Sequence, residues 1–87
     1  MLKEMKNIPP AFPQHKVTIK AISNGLCAPS PSKAIAYIMN NWEGIPIVVN
    51  KQRERSITIT IYCSDEQYKF MKLYFVRDMG RDFLWKD

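Results

Sequence analysis

The residues whose chemistry points most clearly to a ligand are cations accompanied by one aromatic side chain. They are Lys16, Lys20, Lys51, Arg53, Arg55 and Tyr62. Lysine and arginine contact the phosphates of nucleic acids, and a tyrosine ring can stack on a base. The formal charge of +5 is also concentrated, because the excess of cations falls within residues 1–22 and 50–55. Two such concentrations produce a local positive potential, which favours an anionic ligand.

Sequence signatures of catalytic and metal sites are absent. The chain contains three glycines and no phosphate-loop, dinucleotide-binding, zinc-protease or nucleophile-elbow motif. Cys27 and Cys63 do not have metal-ligand spacing, and the single His15 cannot complete a zinc site with them. Cys27 and His15 are the one conceivable nucleophile and base, but no pattern places them together. We therefore predict a protein that is not an enzyme and uses no cofactor or metal.

The stretch 56–63, S-I-T-I-T-I-Y-C, is the clearest strand in the sequence and organises the rest. Its strict alternation of isoleucine with polar residues predicts one face on a core and one polar face. Weaker alternation or short apolar runs predict three further strands. These are Val17–Ile22, Ile45–Val49 and a last short strand at Asp82–Trp85.

Two helices are predicted from their ends as well as from their apolar spacing. Ser30 followed by Pro31 is typical of a helix start, so the first helix should run from Pro31 to about Trp42, with Gly44 as its stop. Its buried residues should be Ile35, Ile38, Met39 and Trp42. The stretch 64–67, S-D-E-Q, predicts a capping box for a second helix that ends at Gly80. That helix should bury Phe70, Met71, Tyr74 and Phe75.

The element order β-α-β-β-α, followed by the short strand at Asp82–Trp85, predicts an α+β fold of the split β-α-β, ferredoxin-like plan. In that plan two helices cover one face of an antiparallel sheet, and the first and third strands are central. Pro46 places the second strand at an edge, because proline cannot donate to a hydrogen-bond ladder. The prolines of residues 1–15 predict an extended N-terminal arm, which leaves residues 16–87 as a single domain.

The polar face of this sheet is the predicted binding surface. Lys16, Lys20 and Tyr62 should share it with three threonines, and the basic loop 50–55 should project at one end. The third-strand signature of RNA-recognition-motif domains requires a glycine and several aromatic residues, whereas this strand has one aromatic residue and no glycine. A small basic, non-enzymatic binding module for nucleic acid, acting as a regulator or inhibitor, is therefore the first hypothesis. A solvated face without a ligand is the plain alternative.

Two other functions fit the same sequence. The second helix has more apolar residues than one helix face buries, which favours a protein-binding adaptor, an inhibitor or a homodimer. The interface residues would be Tyr68, Leu73, Tyr74 and Trp85. A small metal-independent ribonuclease is the third hypothesis, and it would recruit Tyr62, Lys20, Arg53 and Glu54.

Length and composition set the remaining expectations. With 87 residues and 46% apolar residues, the chain is typical of one small globular domain. The first ten residues lack the apolar segment of a secretory signal, and the longest apolar run, 34–39, is too short to cross a bilayer. We therefore expect a cytoplasmic protein that does not associate with membranes and whose cysteines are reduced.

Overall fold

The computed structural model describes residues 12–22 and 29–87. Within these ranges the chain forms a small α+β domain with a four-stranded antiparallel sheet and two helices. The elements in chain order are β1 (Gln14–Ala21), α1 (Pro31–Asn41), β2 (Ile47–Gln52), β3 (Ser56–Tyr62), α2 (Asp65–Met79) and β4 (Phe83–Lys86). Residues 1–11 of the predicted arm and the loop residue Cys27 lie outside the described ranges. None of the described helices is long and apolar enough to cross a membrane.

The strands are ordered β2-β3-β1-β4, and every neighbouring pair is antiparallel. The sequence correctly predicts that β1 and β3 are central and that β2 is an edge strand. Pro46, however, lies just before β2, which begins at Ile47 rather than at Ile45. The carbonyl of Pro46 accepts a hydrogen bond of 2.9 Å from the N–H of Tyr62, so the proline contributes its acceptor to β3 although it has no donor.

The core lies between one face of the sheet and both helices. The isoleucine side of the alternation predicted for β3 is confirmed, since Ile57, Ile59 and Ile61 are completely buried, whereas Thr60 on the opposite face is also buried, with 7% of its surface exposed. The buried apolar cluster also takes residues from every other element. Its remaining members are Val17, Ile19, Ala21, Ala34, Ile35, Ile38, Ile47, Cys63, Met71, Phe75, Phe83 and Trp85. Because both helices contribute to the same cluster, they cover the isoleucine face, and no helix of the described residues covers the threonine face.

The helix ends follow the local chemistry of the sequence. The hydroxyl of Ser64 accepts from the N–H of Gln67, while the Gln67 side chain accepts from the N–H of Ser64, so the predicted capping box is present. Gly80 ends α2 as predicted. The first helix ends one residue earlier than predicted, with Trp42 as its cap. Gly44 lies beyond that cap with a φ of 88°, a conformation that glycine adopts without strain.

Several predicted boundaries and burial assignments were wrong. The first strand begins at Gln14 and so includes two residues of the predicted arm, and the last strand runs one residue beyond Trp85. In α2 the predicted core residues Phe70 and Tyr74 are exposed, because the core accommodates one stripe of this helix, which holds Met71 and Phe75. In α1, Met39 and Trp42 are only partly buried, because Ala34 and Pro31 lie closer to the sheet side.

Candidate functional site

The four strands together create one polar surface, which we call the polar sheet face. Alternation along each strand sends every second side chain away from the core, and the registers align these residues across the sheet. Its residues are Gln14, Lys16, Thr18, Lys20, Val48, Asn50, Lys51, Ser56, Thr58, Thr60, Tyr62, Leu84 and Lys86. The face is therefore assembled from all four strands and does not depend on one loop.

Hydroxyl groups occupy the centre of the polar sheet face. Thr18 and Thr58 are directly opposite each other in the central strands, and their hydroxyl oxygens are 2.9 Å apart. The hydroxyl of Thr60 donates to the side-chain oxygen of Asn50 over 2.7 Å. These cross-strand bonds fix the side chains, because a threonine held at both χ1 and its hydroxyl has little freedom left. The centre is thus a pre-ordered polar platform.

Four lysines surround the Thr18–Thr58 pair. Lys51 is opposite Thr58 on β2, and Lys86 is opposite Thr18 on β4, so one row of the sheet has a cation at each edge. Their Cα atoms are separated by three strand spacings, about 14 Å. Lys16 and Lys20 lie two residues before and after Thr18, about 13 Å apart along β1. The amino groups can therefore reach several phosphates of one polyanion at once.

No strand contains an aspartate or a glutamate in the part of the chain that the structure describes. The strand sequences are QHKVTIKA, IVVNKQ, SITITIY and FLWK. The strand lysines also form no ion pair among the described residues, whereas Lys72 of α2 pairs with Asp87 and Arg77 of α2 pairs with Asp78. The acidic residues of the described ranges lie instead on helices, turns and the carboxyl end. Positive charge on the polar sheet face is consequently not compensated by neighbours on that face.

A β-bulge in β2 places Lys51 on this face. The pairing advances from Val49 opposite Ile59 to Lys51 opposite Thr58, so Asn50 is an extra residue in the edge strand. The predicted loop 50–55 is therefore wrong in its extent, since residues 50–52 belong to β2 and only a tight turn remains. That turn is closed by the N–H of Arg53, which donates to the carbonyl of Ser56 over 2.8 Å.

The predicted cations gather near two different ends of the sheet. The carbonyl of Arg55 accepts a hydrogen bond of 2.8 Å from the N–H of Ala21, so the turn with Arg53 and Arg55 adjoins Lys20. Tyr62 is at the far end of β3, opposite Gln14 and about 20 Å from Ser56. The tyrosine is near Lys16 and distant from both arginines. The residues suggested for a ribonuclease, Tyr62 with Arg53 and Glu54, are likewise not brought together.

Lys86 is the cation that the sequence reasoning missed. The predicted last strand stopped at Trp85, so the residue after it was not assigned to a face. Phe83 and Trp85 are buried, and the alternation therefore exposes Leu84 and Lys86 on the polar side. Extending the strand by one residue would have identified this lysine.

The predicted protein-contact residues divide between core and surface. Trp85 is only 7% exposed and packs in the core, because β4 completes the sheet over Phe75. Tyr68 is half-buried, and its hydroxyl donates to Asp87 while it accepts from the indole N–H of Trp85. Leu73 and Tyr74 are 62% and 39% exposed. Only the last two are therefore available to a partner at the surface.

His15 is engaged by residues around the start of α2. Its ring stacks on Tyr68 with centroids 4.2 Å apart, and its Nε2 atom lies 3.2 Å from the carbonyl oxygen of Cys63 and 3.3 Å from a carboxylate oxygen of Asp65. Burial, with a smaller contribution from Asp65, raises the pKa of the Cys63 thiol to about 11. This thiol is buried and protonated at neutral pH, so it is not activated as a nucleophile. Within the described residues, no three His, Cys, Asp or Glu side chains form a group suited to a metal ion.

No protein-family model matches this chain, and comparisons with curated proteins and with solved structures find no match either.

Proposed function

We propose that this protein is a non-enzymatic binding module that holds nucleic acid against the polar sheet face. The observation that carries the proposal is the complete lack of acidic residues in the four strands, combined with Lys16, Lys20, Lys51 and Lys86 around a hydroxyl platform. A solvated face kept soluble by charge ordinarily has both signs interspersed. A face with one sign of charge attracts a polyanion and pairs lysines with its phosphates.

The chemistry of the face favours contact with the nucleic-acid backbone over reading of bases. Lysines pair with phosphates whatever the sequence, and in the Thr18–Thr58 pair the hydroxyl that accepts keeps its own hydrogen for a phosphate or sugar oxygen. Tyr62 is the one aromatic ring on the polar sheet face, so at most one base can stack there. We therefore expect binding with little sequence preference and a strong dependence on salt.

The fold proposed for this module is the split β-α-β, ferredoxin-like plan. The strand order β2-β3-β1-β4, the antiparallel pairings and the two helices with buried residues in one core support it. This plan leaves one sheet face uncovered, which is the surface that the binding proposal requires.

The test is the salt dependence of binding to a labelled single-stranded RNA and a labelled duplex DNA, measured by fluorescence anisotropy. The double variant Lys51→Gln with Lys86→Gln removes two cations from the edges of the polar sheet face. If both contact phosphates, the slope of log K against log salt should fall by about 1.4–1.8. The weaker binding should be seen with every probe sequence.

A matched control removes the same net charge from the helical layer. Lys33→Gln with Lys72→Gln changes an exposed residue of α1 and a residue of α2 that pairs with Asp87 in a surface ion pair. This variant should keep the wild-type slope. If both double variants lose binding equally, only net charge matters and the assignment to the polar sheet face is wrong. If wild-type protein does not bind either probe at low salt, the nucleic-acid proposal is wrong.

The same RNA also tests the non-enzymatic part of the proposal. It should be recovered intact after prolonged incubation with the protein. Cleavage that is abolished in a Tyr62→Phe variant would instead support the ribonuclease hypothesis, since a phenol that takes part in proton transfer cannot be replaced by phenylalanine.

A further inference from the structure

Helix α2 carries a second apolar stripe that faces away from the core. We call the stripe Glu66, Lys69, Phe70, Leu73, Val76 and Arg77 the outer α2 face. The side chains of Phe70, Leu73 and Val76 are 48%, 62% and 49% exposed. Residues three and four apart are neighbours on a helix, so these three form a continuous patch opposite Met71 and Phe75. A helix that served the core alone would have polar residues at these positions.

Charges of opposite sign flank this patch at its two ends. Glu66 lies one turn before Phe70, in the first turn of the helix, and Arg77 lies one turn after Leu73, in the last turn. The two charges are eleven residues apart, which is about 16 Å along the helix axis. The outer α2 face therefore has Glu66 and Lys69 at one end, an apolar centre, and Arg77, which is paired with Asp78, at the other end.

We propose that the outer α2 face is a homodimer interface, in which α2 pairs antiparallel with α2 of a second copy about a two-fold axis. Two-fold symmetry requires that each contact occurs twice with the partners exchanged. A helix face with opposite charges at its two ends meets this condition. When a second copy is rotated by 180°, Glu66 of each subunit lies against Arg77 of the other. The partner is thus a second copy of this chain, selected by charge complementarity.

The charges also define the register of the pair. When Glu66 lies against Arg77 of the partner subunit, the two-fold axis passes midway between residues 71 and 72. Phe70 then faces Leu73 of the partner subunit, so the apolar centres meet. Lys69 faces Tyr74 of the partner subunit, where an ammonium group can lie over the ring. The antiparallel helix dipoles add a favourable interaction.

Arg77 has donors left for this contact. Its Nε and Nη2 atoms already donate to Asp78, over 2.7 and 3.0 Å, and its guanidinium lies 4.7 Å from the ring centroid of Tyr74. A guanidinium has five N–H groups, so Nη1 and one hydrogen of Nη2 remain. Asp78 and Tyr74 hold the group in place and reduce the entropy lost when it binds a carboxylate.

The proposal is tested by the oligomeric state of the full chain, measured by sedimentation equilibrium over a wide concentration range. Wild-type protein should be in a concentration-dependent equilibrium with a dimer. Leu73→Glu should give a monomer, because it places a carboxylate at the apolar centre. Ala36→Glu adds the same charge at an exposed position of α1 and should leave the equilibrium unchanged. A wild-type chain that stays monomeric at every concentration overturns the proposal.

A charge exchange tests the register itself. Glu66→Arg alone and Arg77→Glu alone should each weaken the dimer by at least roughly 2- to 30-fold, because each replaces two symmetric surface ion pairs with two contacts between like charges. The double variant with both changes restores complementary pairs and should recover dimerisation. A double variant no tighter than the single variants would refute the antiparallel register.

Two further outcomes would also overturn the proposal. A dimer that persists in Leu73→Glu places the interface elsewhere on the molecule. A wild-type monomer that dimerises only after removal of residues 1–11 shows that this segment, and not a second copy, covers the outer α2 face.

Discussion

The two helices cover the same core but differ in how many of their apolar residues the core uses. Helix α1 buries Pro31, Ala34, Ile35 and Ile38, and its outward positions include exposed serine, lysine and asparagine. Helix α2 is four residues longer and completely buries only Met71 and Phe75. The fold accounts for the apolar pattern of α1. It does not account for the exposed apolar residues of α2, which the proposed second copy of the chain would cover.

Polar contacts compensate for the smaller core contribution of α2. Lys72 pairs with Asp87 at 3.0 Å, and Tyr68 links Trp85 to the same carboxylate. Near its other end, Asp78 accepts a hydrogen bond from the hydroxyl of Tyr37 on α1. The position of α2 is therefore fixed by hydrogen bonds at both ends and by two large side chains in the middle.

The largest expected effect comes from removing one of those two side chains. Phe75→Ala should lower the free energy of unfolding by about 3–5 kcal/mol, since it leaves a cavity among Phe83, Trp85 and Tyr37. A domain of this size is stable by about 4–13 kcal/mol, so the variant would be close to unfolded. Leu73→Ala, on the outward side of the same helix, should change stability by less than about 0.5 kcal/mol. Urea denaturation at low protein concentration measures both, and equal effects would show that the two sides of α2 are not distinct.

Removing the N-terminal cap of either helix should lower the free energy of unfolding by less than Phe75→Ala does. Ser64→Ala removes the hydroxyl half of a capping box and should cost about 1 kcal/mol. Ser30→Ala should cost less, because the Ser30 hydroxyl accepts one backbone hydrogen bond, at 3.3 Å, and no side chain of residues 12–22 or 29–87 returns a bond to its N–H. The midpoints of urea denaturation test this order. A larger loss from Ser30→Ala would mean that α1 depends on its cap more than α2 does.

The last effect is absent at neutral pH and appears only in alkali. Burial raises the pKa of Tyr37 on α1 to about 12, with a further contribution from Asp78, and burial also raises the pKa of Tyr68 on α2 to about 12. In the unfolded chain both phenols ionise near pH 10. The unfolded state therefore loses protons first, and stability should fall as the pH rises from about 10 to about 12.

Phenylalanine variants isolate this contribution. In Tyr37→Phe and in Tyr68→Phe the alkaline loss of stability should be smaller than in the wild type, because each removes one of the groups that ionise more readily in the unfolded chain. Denaturation midpoints at several pH values give the comparison, and tyrosinate absorbance follows the phenols directly. A wild-type chain whose tyrosines all ionise near pH 10 before unfolding would contradict the raised values.

Local patterns were sufficient to predict the element order and the central strands. The alternation of Ile57, Ile59 and Ile61 and the capping box at Ser64 are signals contained within a few residues, so the structure agrees with them. The inner side of α2 was not predictable in this way. Apolar residues occupy nearly every direction around this helix, and only packing against the sheet selects Met71 and Phe75 over Phe70 and Tyr74.

The candidate site was predictable in part for the same reason. Lys16, Lys20 and Tyr62 follow from alternation along β1 and β3, whereas the neighbours of Lys51 depend on the extra residue Asn50. A bulge has no sequence signature as clear as alternation, because it exists only where two residues of one strand lie opposite a single residue of the partner strand. The position of Lys86 opposite Thr18 was not predictable from local alternation, because it depends on which strand pairs with β1.

The bulge at Asn50 also protects the border of the sheet. With regular pairing, Lys51 would stand opposite Ile57 and its ammonium group would be directed towards the hydrophobic interior. The inserted residue turns it outwards and twists the backbone, so the unpaired amides of β2 no longer present a straight template to a strand from another molecule. Deleting Asn50 would make the pairing regular with Lys51 still opposite Thr58, so the expected consequence is a straighter edge strand and a greater tendency of the protein to aggregate through this border.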